Sequence, residues 1–410
     1  MTRTISAAIL AVLLGAGCAH HHQAHHAQYH QGKTGASAAG LARLERVIAA
    51  DVESGKIPGV VMMVQRDGKL VYSRALGRQD ATSGAPMRED SIFRIYSMTK
   101  PIVSIGIMML VEEGRINLTD PVSKFIPELK GVRVGVDKGG KLEMVAAQRD
   151  PSIQDLLRHT SGYTYGVFGK GLVKDLYTKN GVDSWDHTNA EFVKKLATVP
   201  LMYQPGTVWE YSRSTDVLGH VIERVSGQSL DQFLQARILG PLGMKDTAFW
   251  VEPSRQARLA EAFPKDPVSG AAQNLIAVKS APKYLSGGGG MVSTAQDYVR
   301  FAQMLLNYGE LGGVRIVSRK TIEYMTSDHL GTIRGPAVGY GFGLGVAVRL
   351  SNGVSPVPGS EGDYNWGGLG GTYFWVDPKE RLVAVWMMQA PGPRTYYREL
   401  YRNLVYSALE

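Results

Sequence analysis

Ser97 and Lys100 stand three residues apart, a spacing that can support nucleophilic catalysis. On a helix, residues i and i+3 lie on one face, so the lysine amine would reach the serine hydroxyl. A serine hydroxyl is a weak nucleophile at neutral pH and needs an adjacent base to take its proton. A lysine can be that base only if burial lowers its pKa from about 10.4 toward neutrality. The pair therefore predicts attack by Ser97 on a carbonyl carbon, with Lys100 buried and uncharged.

The segment that follows this pair is apolar nearly all round, as is typical of a buried helix. It runs from Ile102 to Val111, and Gly114 is expected to end it. Ser97 would then lie near the helix N-terminus, where backbone N–H groups favour an oxyanion. A second pair at the same spacing, Ser280 and Lys283, has a proline between its members and opens no apolar helix, so we interpret it as a loop.

Six blocks, in order along the chain, resemble the β-lactamase-related serine hydrolases. This superfamily includes class C β-lactamases, penicillin-binding DD-peptidases and the family VIII esterases, and the resemblance is nearest to the esterases. It covers about residues 40 to 410. The blocks are Ser97–Lys100 with Leu110–Ile116 and Asp120–Val122, Leu156–Gly162, Trp209–Ser212 with Asp216–Gly219, Pro241–Met244, Ser286–Thr294 and Trp366–Gly368.

The resemblance implies a role for Tyr211 in the third of these blocks. In such enzymes a tyrosine oxygen beside the serine and the lysine carries the proton. Tyr211 would act either as a phenolate held by Lys100 or as a neutral relay, and coupled groups of this kind titrate as a set. The structural alternative is a half-buried tyrosine. The catalytic interpretation is favoured by the amphipathic helix that follows, which contains Val217 and Ile222 and which Gly227 ends.

The resemblance also implies an oxyanion hole beside the last block, Trp366, Gly367 and Gly368. It would be formed by the backbone N–H groups of Leu369 and Ser97, and losing one such donor typically costs about 10²–10³ in rate. A strand edge that lies against the nucleophile needs bare backbone so that substrate can approach, and the two glycines would supply it. The alternative is a glycine-rich turn before a strand.

Other residues near the motifs could also do chemistry. His159 could be the base of a triad, but the resemblance makes it a structural loop residue. Lys33-Thr34-Gly35 spells the third motif of true β-lactamases, yet it lies before any predicted strand and on the wrong side of Ser97, so we treat it as chance. The histidine spacings predict no metal site, and no organic cofactor is expected. Six aromatic residues could line an acyl pocket or belong to the core: Tyr163, Tyr165, Phe168, Trp209, Tyr284 and Tyr340.

The hydrophobic periodicity predicts an α/β (α+β) fold with two lobes in one serine hydrolase domain, residues 38–410. Residues 38–98 and 284–410 would together build an antiparallel sheet flanked by helices, and the family resemblance implies that this fold is of the β-lactamase and transpeptidase type. Residues 99–283 would form a helical lobe inserted into it, because their periodicity is mostly helical with Gly and Pro breaks.

Individual strands can be predicted on both sides of the insertion. Val60 to Val64 and Leu70 to Ser73, with Asp67-Gly68 between them, predict a β-hairpin. Later in the chain, three more strands and a final helix follow. The strands are expected at Phe342 to Leu350, Thr372 to Val376 and Leu382 to Met388, and the helix at residues 394–409.

The N-terminus predicts export. Residues 1–17 carry a positive start and an apolar stretch too short to span a bilayer, which indicates a signal peptide. Cys18 is the only cysteine and stands where lipidation would need it, so an intramolecular disulfide is impossible. The histidine-rich tract within residues 18–37 could chelate metals, but a polar tether is the favoured interpretation. These features predict an outer-membrane lipoprotein facing the periplasm; the alternative is a soluble periplasmic or secreted protein.

The whole sequence predicts a serine hydrolase that acts through an acyl-enzyme on a small ester or amide, most simply on short acyl esters. A net charge of +8 with scattered Lys and Arg gives no sign of nucleic-acid binding. In β-lactamases of this superfamily the tyrosine motif reads Tyr-x-Asn and the third motif carries lysine, whereas here Arg213 and Trp366 stand there. The alternatives are a D-amino-acid peptidase or DD-carboxypeptidase, a β-lactamase, an acyltransferase, or an inactive lipoprotein that binds the cell wall.

Overall fold

The computed structural model describes residues 35–410. The predicted signal peptide, the lipidation of Cys18, the histidine-rich tract, and Lys33 and Thr34 lie outside the described residues, so those interpretations stay predictions. Within the described part of the chain, no helix is long and apolar enough to cross a lipid bilayer.

One large antiparallel sheet organises the molecule, with strand order β10-β11-β12-β13-β14-β1-β2-β3. Its centre is the pairing of β1 with β14, which joins the two ends of the chain, for example Val64 opposite Ala384. The strands are β1 (Gly59–Arg66), β2 (Lys69–Asp80), β3 (Ala85–Pro86), β10 (Tyr340–Phe342), β11 (Ala347–Arg349), β12 (Tyr364–Gly367), β13 (Tyr373–Asp377) and β14 (Leu382–Met388).

Helices and three small two-stranded sheets complete the fold. The small sheets are β4 (Phe93–Arg94) with β7 (Val292–Ser293), β5 (Arg133–Lys138) with β6 (Lys141–Ala146), and β8 (Glu310–Leu311) with β9 (Val314–Arg315). The α-helices are α1 (Ala38–Glu53), α2 (Thr99–Glu112), α3 (Ile153–Leu157), α4 (Leu172–Lys179), α5 (Asn189–Leu196), α6 (Ser214–Ser226), α7 (Leu230–Leu234), α8 (Ala295–Leu306), α9 (Arg319–Met325) and α10 (Arg394–Tyr406).

The central strands β1 and β14 are buried on both faces. Side chains that point one way, such as Met62 and Trp386, pack with α1 and α10 in one apolar cluster. Side chains that point the other way, such as Met63 and Val385, belong to a larger cluster with α8 and α2. Successive strand residues alternate between faces, so a strand covered on both sides reads as a continuous apolar run. The predicted antiparallel sheet flanked by helices is confirmed.

Two local predictions were wrong. Residues 342–350 are not one strand, because the chain reverses between β10 and β11, where Gly345 has φ 105°. Residues 133–146, in the region predicted as helical, form the β5–β6 hairpin. Its turn is fixed by Gly139 and Gly140, both with positive φ, and by the Gly140 N–H, which donates to Asp137 Oδ1 at 2.7 Å.

Candidate active site

Ser97 lies in a 3₁₀ turn, Tyr96–Met98, directly before α2. Tyr96 has φ 44°, the left-handed region that a bulky residue rarely adopts. Its hydroxyl accepts a hydrogen bond from the Ile276 backbone N–H at 2.9 Å, which fixes the ring. Strained residues of this kind persist where the surrounding structure holds them, often at functional sites. The turn therefore presents Ser97 at the start of a buried helix, as the spacing predicted.

Lys100 is buried in the first turn of α2, with 1% of its surface exposed. Its ammonium group donates hydrogen bonds to Ser97 Oγ at 3.3 Å, to the Tyr165 hydroxyl at 3.1 Å and to the Gly288 carbonyl at 2.7 Å. A lysine ammonium has three N–H donors and no acceptor. Three acceptors around one nitrogen thus match the protonated form.

The pKa of Lys100 moves in the direction opposite to the one expected from the sequence. Burial acts to lower the pKa, but the neighbouring Tyr165, Tyr211 and Asp216 outweigh burial, so the pKa is raised. The expectation that burial leaves a free amine stays a prediction, and this direction of the pKa does not favour it. The sequence could not show this, because these three residues come from segments far from α2 along the chain.

Tyr211 lies beside both residues, in the loop before α6. Its hydroxyl oxygen is 2.6 Å from Ser97 Oγ, and Lys100 Nζ is 4.5 Å from the centre of its ring. Aromatic rings hold the phenol in place, with the centres of the Trp209 and Trp366 rings at 6.1 and 5.4 Å. The structure thus brings the three predicted catalytic residues into one cluster.

His159 lies behind Tyr211, with their ring centres 5.0 Å apart. Its Nδ1 is 3.1 Å from Ser212 Oγ, and Nε2 is buried without a hydrogen-bond partner among the described residues. Burial, reinforced by Lys100, holds the pKa of His159 well below its usual value. The neutral ring supports Tyr211, and its hydrogen bond goes to Ser212 rather than to Ser97.

The third motif lies at the end of β12, where Gly367 and Gly368 pack tightly against neighbouring residues. A Cβ on Gly367 would lie 2.5 Å from the Arg398 guanidinium carbon, and a Cβ on Gly368 would collide with the Ile95 carbonyl. Packing against backbone therefore requires Gly368, whereas a side chain at Gly367 would have to displace the end of the Arg398 side chain. Leu369 follows them in the turn.

Arg398 on α10 is a residue that sequence reasoning missed. Its guanidinium donates to the Gly368 carbonyl and, at 3.3 Å, to the Thr372 carbonyl, so it spans the turn that carries Leu369. Burial lowers the pKa of Arg398 to about 10. The amphipathic pattern of α10 shows which face is buried, but a helical period does not show that one arginine reaches a strand turn 30 residues earlier.

Arg213 is fully engaged by carboxylates. Its Nη2 and Nε lie 2.9 and 3.2 Å from Asp183 Oδ1, and Nη1 lies 3.6 Å from Asp216 Oδ2. The guanidinium carbon is also 4.7 Å from the centre of the Tyr165 ring. Arg213 is therefore a buried cation whose charge is paired within the protein.

Two spaces meet at the nucleophile. The first, called the large cavity, has a volume of about 660 Å³ and is lined by Ser97, Tyr211, Trp366 and Leu369, with Val338 at its mouth. The second, called the small cleft, has a volume of about 200 Å³. Its lining includes Ser97, Gly288, Leu369, Val167, Trp185 and Ile276.

The six candidate pocket aromatics divide between these spaces and the core. Trp209 and Tyr340 line the large cavity, Tyr165 lines the small cleft, and Phe168 lines both. Tyr163 and Tyr284 are buried core residues, each with 1% or less of its surface exposed. The second serine-lysine pair, at 280 and 283, lies outside helices and strands. In residues 35–410, no group of His, Cys, Asp and Glu could hold a metal ion.

Comparison with known proteins places these features in a family context. Residues 44–408 match the Beta-lactamase family model. An uncharacterized protein of Mycobacterium tuberculosis is 36% identical over 355 residues, covering 82% of this chain and 87% of that protein. Esterase EstB of Burkholderia gladioli is 34% identical over 360 residues, with the same two coverages of 82% and 87%. The solved structure of EstCE1, a hydrolase with promiscuous acyltransferase activity, has a TM-score of 0.76 at 26% identity and covers 90% of this chain and 99% of that one.

Proposed function

The chain belongs to the β-lactamase family, and within it we propose that this serine-hydrolase-type enzyme is an esterase that forms an acyl-enzyme on Ser97. One observation carries the proposal: the Tyr211 oxygen lies 2.6 Å from Ser97 Oγ, and Lys100 Nζ lies 3.3 Å from the same atom. A nucleophile in contact with a proton acceptor that is itself held by a third group is the arrangement that acyl transfer requires.

The proposed reaction begins with Tyr211 as a phenolate stabilised by the Lys100 charge. Ser97 Oγ bonds to the ester carbonyl carbon as its proton passes to Tyr211. The carbonyl oxygen becomes an oxyanion, for which the N–H groups of Ser97 and Leu369 are the proposed donors. The ester C–O bond then breaks, and the leaving alkoxide takes the proton from Tyr211. Water releases the acyl group by the reverse sequence of proton transfers.

An ester is favoured as substrate by the walls around Ser97. The large cavity carries aromatic side chains beside the nucleophile, and the third motif presents Trp366 in place of a cation. Arg213 is paired with Asp183, so the tyrosine motif offers no free charge either. Similarity to Esterase EstB over 82% of the chain supports the same choice.

Acyl transfer to an alcohol is a second candidate. It is favoured by the size of the large cavity, about 660 Å³, which leaves room for an acceptor larger than water beside Tyr211. The similar structure of EstCE1 belongs to a hydrolase with promiscuous acyltransferase activity. Both activities use one acyl-enzyme and differ only in the acceptor.

A serine-directed phosphonate and a substrate panel test the proposal. We expect covalent labelling at Ser97 and turnover of p-nitrophenyl esters of short acids, both lost in Ser97→Ala. Ser280→Ala removes the serine of the second pair, which is exposed, and should change neither readout. Preferred turnover of D-Ala-D-Ala peptides would replace the esterase proposal by a peptidase. An unlabelled, inactive wild type would indicate a binding lipoprotein.

A further inference from the structure

Ser97, Phe168 and Leu369 line both the large cavity and the small cleft, so the nucleophile stands where the two spaces meet. An ester has two parts, an acyl chain and an alcohol, which extend on opposite sides of the carbonyl carbon. When that carbon lies against Ser97 Oγ, each space receives one part. The assignment of parts to spaces determines which acids and which alcohols the enzyme accepts.

The position of Tyr211 decides the assignment. Tyr211 lines the large cavity and does not line the small cleft. The group that removes the Ser97 proton must later give that proton to the leaving alcohol oxygen, and it can do so only within hydrogen-bond reach. The leaving oxygen therefore lies on the Tyr211 side of the carbonyl carbon.

We propose that the small cleft binds a short, uncharged acyl chain and that the large cavity binds the alcohol. This inference rests on the proposed esterase function and specifies its substrate. It also assigns the acceptor site: once the alcohol has left, the large cavity is the space from which water or a second alcohol reaches the acyl-enzyme. In transfer, the acceptor oxygen bonds to the acyl carbon, its proton goes to Tyr211, and the bond to Ser97 breaks as Ser97 takes that proton.

The walls of the small cleft fit an apolar chain. Val167, Trp185 and Ile276 supply apolar surface, and the charges of Arg213 and Asp183 neutralise each other across 2.9 Å. A charged acyl group would lose its hydration there without gaining a free partner. The cleft, at about 200 Å³, is the smaller of the two spaces and suits the smaller part of the ester.

The large cavity fits a bulkier group. Its volume is about 660 Å³, more than three times that of the small cleft. Trp209, Tyr340 and Trp366 offer aromatic faces near Tyr211, and Arg394 and Glu399 lie on the wall formed by α10. Aromatic or polycyclic alcohols can pack against such rings while polar substituents reach the charged wall. The predicted substrate class is a short-chain acid esterified to a large alcohol.

Two valines provide a matched pair of variants. Val167 lies in the small cleft and Val338 in the large cavity, and they are 59% and 60% exposed, so tryptophan at either position need not disturb the core. The acyl series is p-nitrophenyl acetate and hexanoate. The alcohol series is phenyl and 4-biphenylyl butanoate, whose leaving groups differ mainly in size. Within each series, the ratio of kcat/KM for the two esters is compared between variant and wild type, so that differences in the intrinsic reactivity of the esters cancel.

Val167→Trp should lower the hexanoate-to-acetate ratio of kcat/KM about tenfold, the scale expected when a pocket loses room for methylene groups. It should leave the biphenylyl-to-phenyl ratio unchanged. Val338→Trp should lower the biphenylyl-to-phenyl ratio of kcat/KM and leave the hexanoate-to-acetate ratio unchanged.

The reverse pattern, with Val338→Trp changing acyl preference and Val167→Trp changing alcohol preference, would overturn the assignment and leave the esterase function intact. Equal ratios in wild type and both variants would also overturn it. If no ester in either series is turned over and no acyl-enzyme forms on Ser97, the proposed function itself fails and the assignment fails with it. The two failures are thus distinguishable by whether any acyl-enzyme accumulates.

Discussion

The Tyr211 hydroxyl oxygen lies 2.6 Å from Ser97 Oγ, whereas the Lys100 amine nitrogen lies 3.3 Å from it. The shorter contact supports the proposed role of Tyr211 as the direct proton partner of the nucleophile, and the raised pKa of Lys100 favours the proposed positive charge on the lysine. This division of roles differs from a lysine base next to a serine. It makes the phenol and the ammonium one unit, since neither performs its part alone.

Removing either member of that unit should therefore stop most of the chemistry. We expect Tyr211→Phe to lower kcat by about 10²–10⁴, the usual contribution of a general base, because Ser97 loses its proton acceptor. Lys100→Ala should cause a loss of similar size. In the double variant the total loss should be far smaller than the product, because residues that act as a unit are non-additive. Steady-state kinetics on one p-nitrophenyl ester gives kcat for the two single variants and the double variant. If the loss of kcat in the double variant equals the product of the two single losses, the two residues do not share one proton relay.

Arg398 should act as a positioning residue for the turn that carries Leu369. Its guanidinium holds the Gly368 and Thr372 carbonyls, so Arg398→Met should let the Leu369 N–H drift from the oxyanion. We expect kcat to fall by up to about 10²–10³, the cost of one oxyanion donor, with little change in KM. Arg398→Lys should recover part of the loss.

The control for this prediction is Arg394→Met. Arg394 lines the same cavity, but its guanidinium donates to the Pro391 carbonyl at 2.6 Å instead of to the Gly368 and Thr372 carbonyls. Its removal should leave kcat nearly unchanged. Affinity for a trifluoromethyl ketone, which needs the oxyanion donors, should fall in Arg398→Met in step with kcat. A fall in melting temperature without loss of that affinity would reduce Arg398 to a purely structural role.

Much of the site could be predicted from the sequence because its signals are local. The spacing of Ser97 and Lys100, the apolar run of α2 and the amphipathic helix after Tyr211 each lie within one segment. The hairpin of β1 and β2 was equally visible, since Asp67 and Gly68 adopt the positive φ that such a turn requires.

What could not be predicted depends on contacts between distant segments. Burial acts to lower the pKa of Lys100, and Tyr165, Tyr211 and Asp216, which approach it only in the folded chain, act to raise it. The pairing of Arg213 with Asp183 joins positions 30 residues apart, so the sequence did not show that this arginine has a carboxylate partner. Pattern analysis finds the faces of helices, but it does not find which side chains meet across them.

Acidification should destabilise the fold through His187. Burial, reinforced by Lys195 and Arg213, lowers the pKa of His187 from its usual 6.5 to about 4. The neutral ring fits its surroundings, because Lys195 Nζ lies 3.3 Å from Nδ1 and would face a second cation if the ring were charged. Between these pKa values the unfolded chain binds a proton that the folded chain does not, so stability falls as pH drops from about 6.5 toward 4.

Thermal unfolding followed by circular dichroism checks this prediction. The melting temperature of the wild type should decline through that pH window. His187→Gln should show a shallower decline, because glutamine does not titrate, even if its melting temperature at neutral pH is lower. If the melting temperatures of the wild type and His187→Gln decline with pH in parallel, other groups, such as the buried His159, determine the acid sensitivity.

We expect β-lactams to be far poorer substrates of this protein than short acyl esters. In β-lactamases of this superfamily an asparagine in the tyrosine motif binds the acylamido group, and a lysine in the third motif helps bind the carboxylate. Here Arg213 is held by Asp183 at 2.9 Å, and Trp366 carries no charge. An amide bond and a charge-assisted bond, each worth about 1–3 kcal/mol, are therefore missing, which amounts to several powers of ten in kcat/KM. Nitrocefin turnover should be weak in a protein that hydrolyses p-nitrophenyl acetate well. Comparable turnover of both compounds, lost together in Ser97→Ala, would identify the enzyme as a β-lactamase. In that case the arginines of α10 that line the large cavity are the cations left to bind the drug's carboxylate.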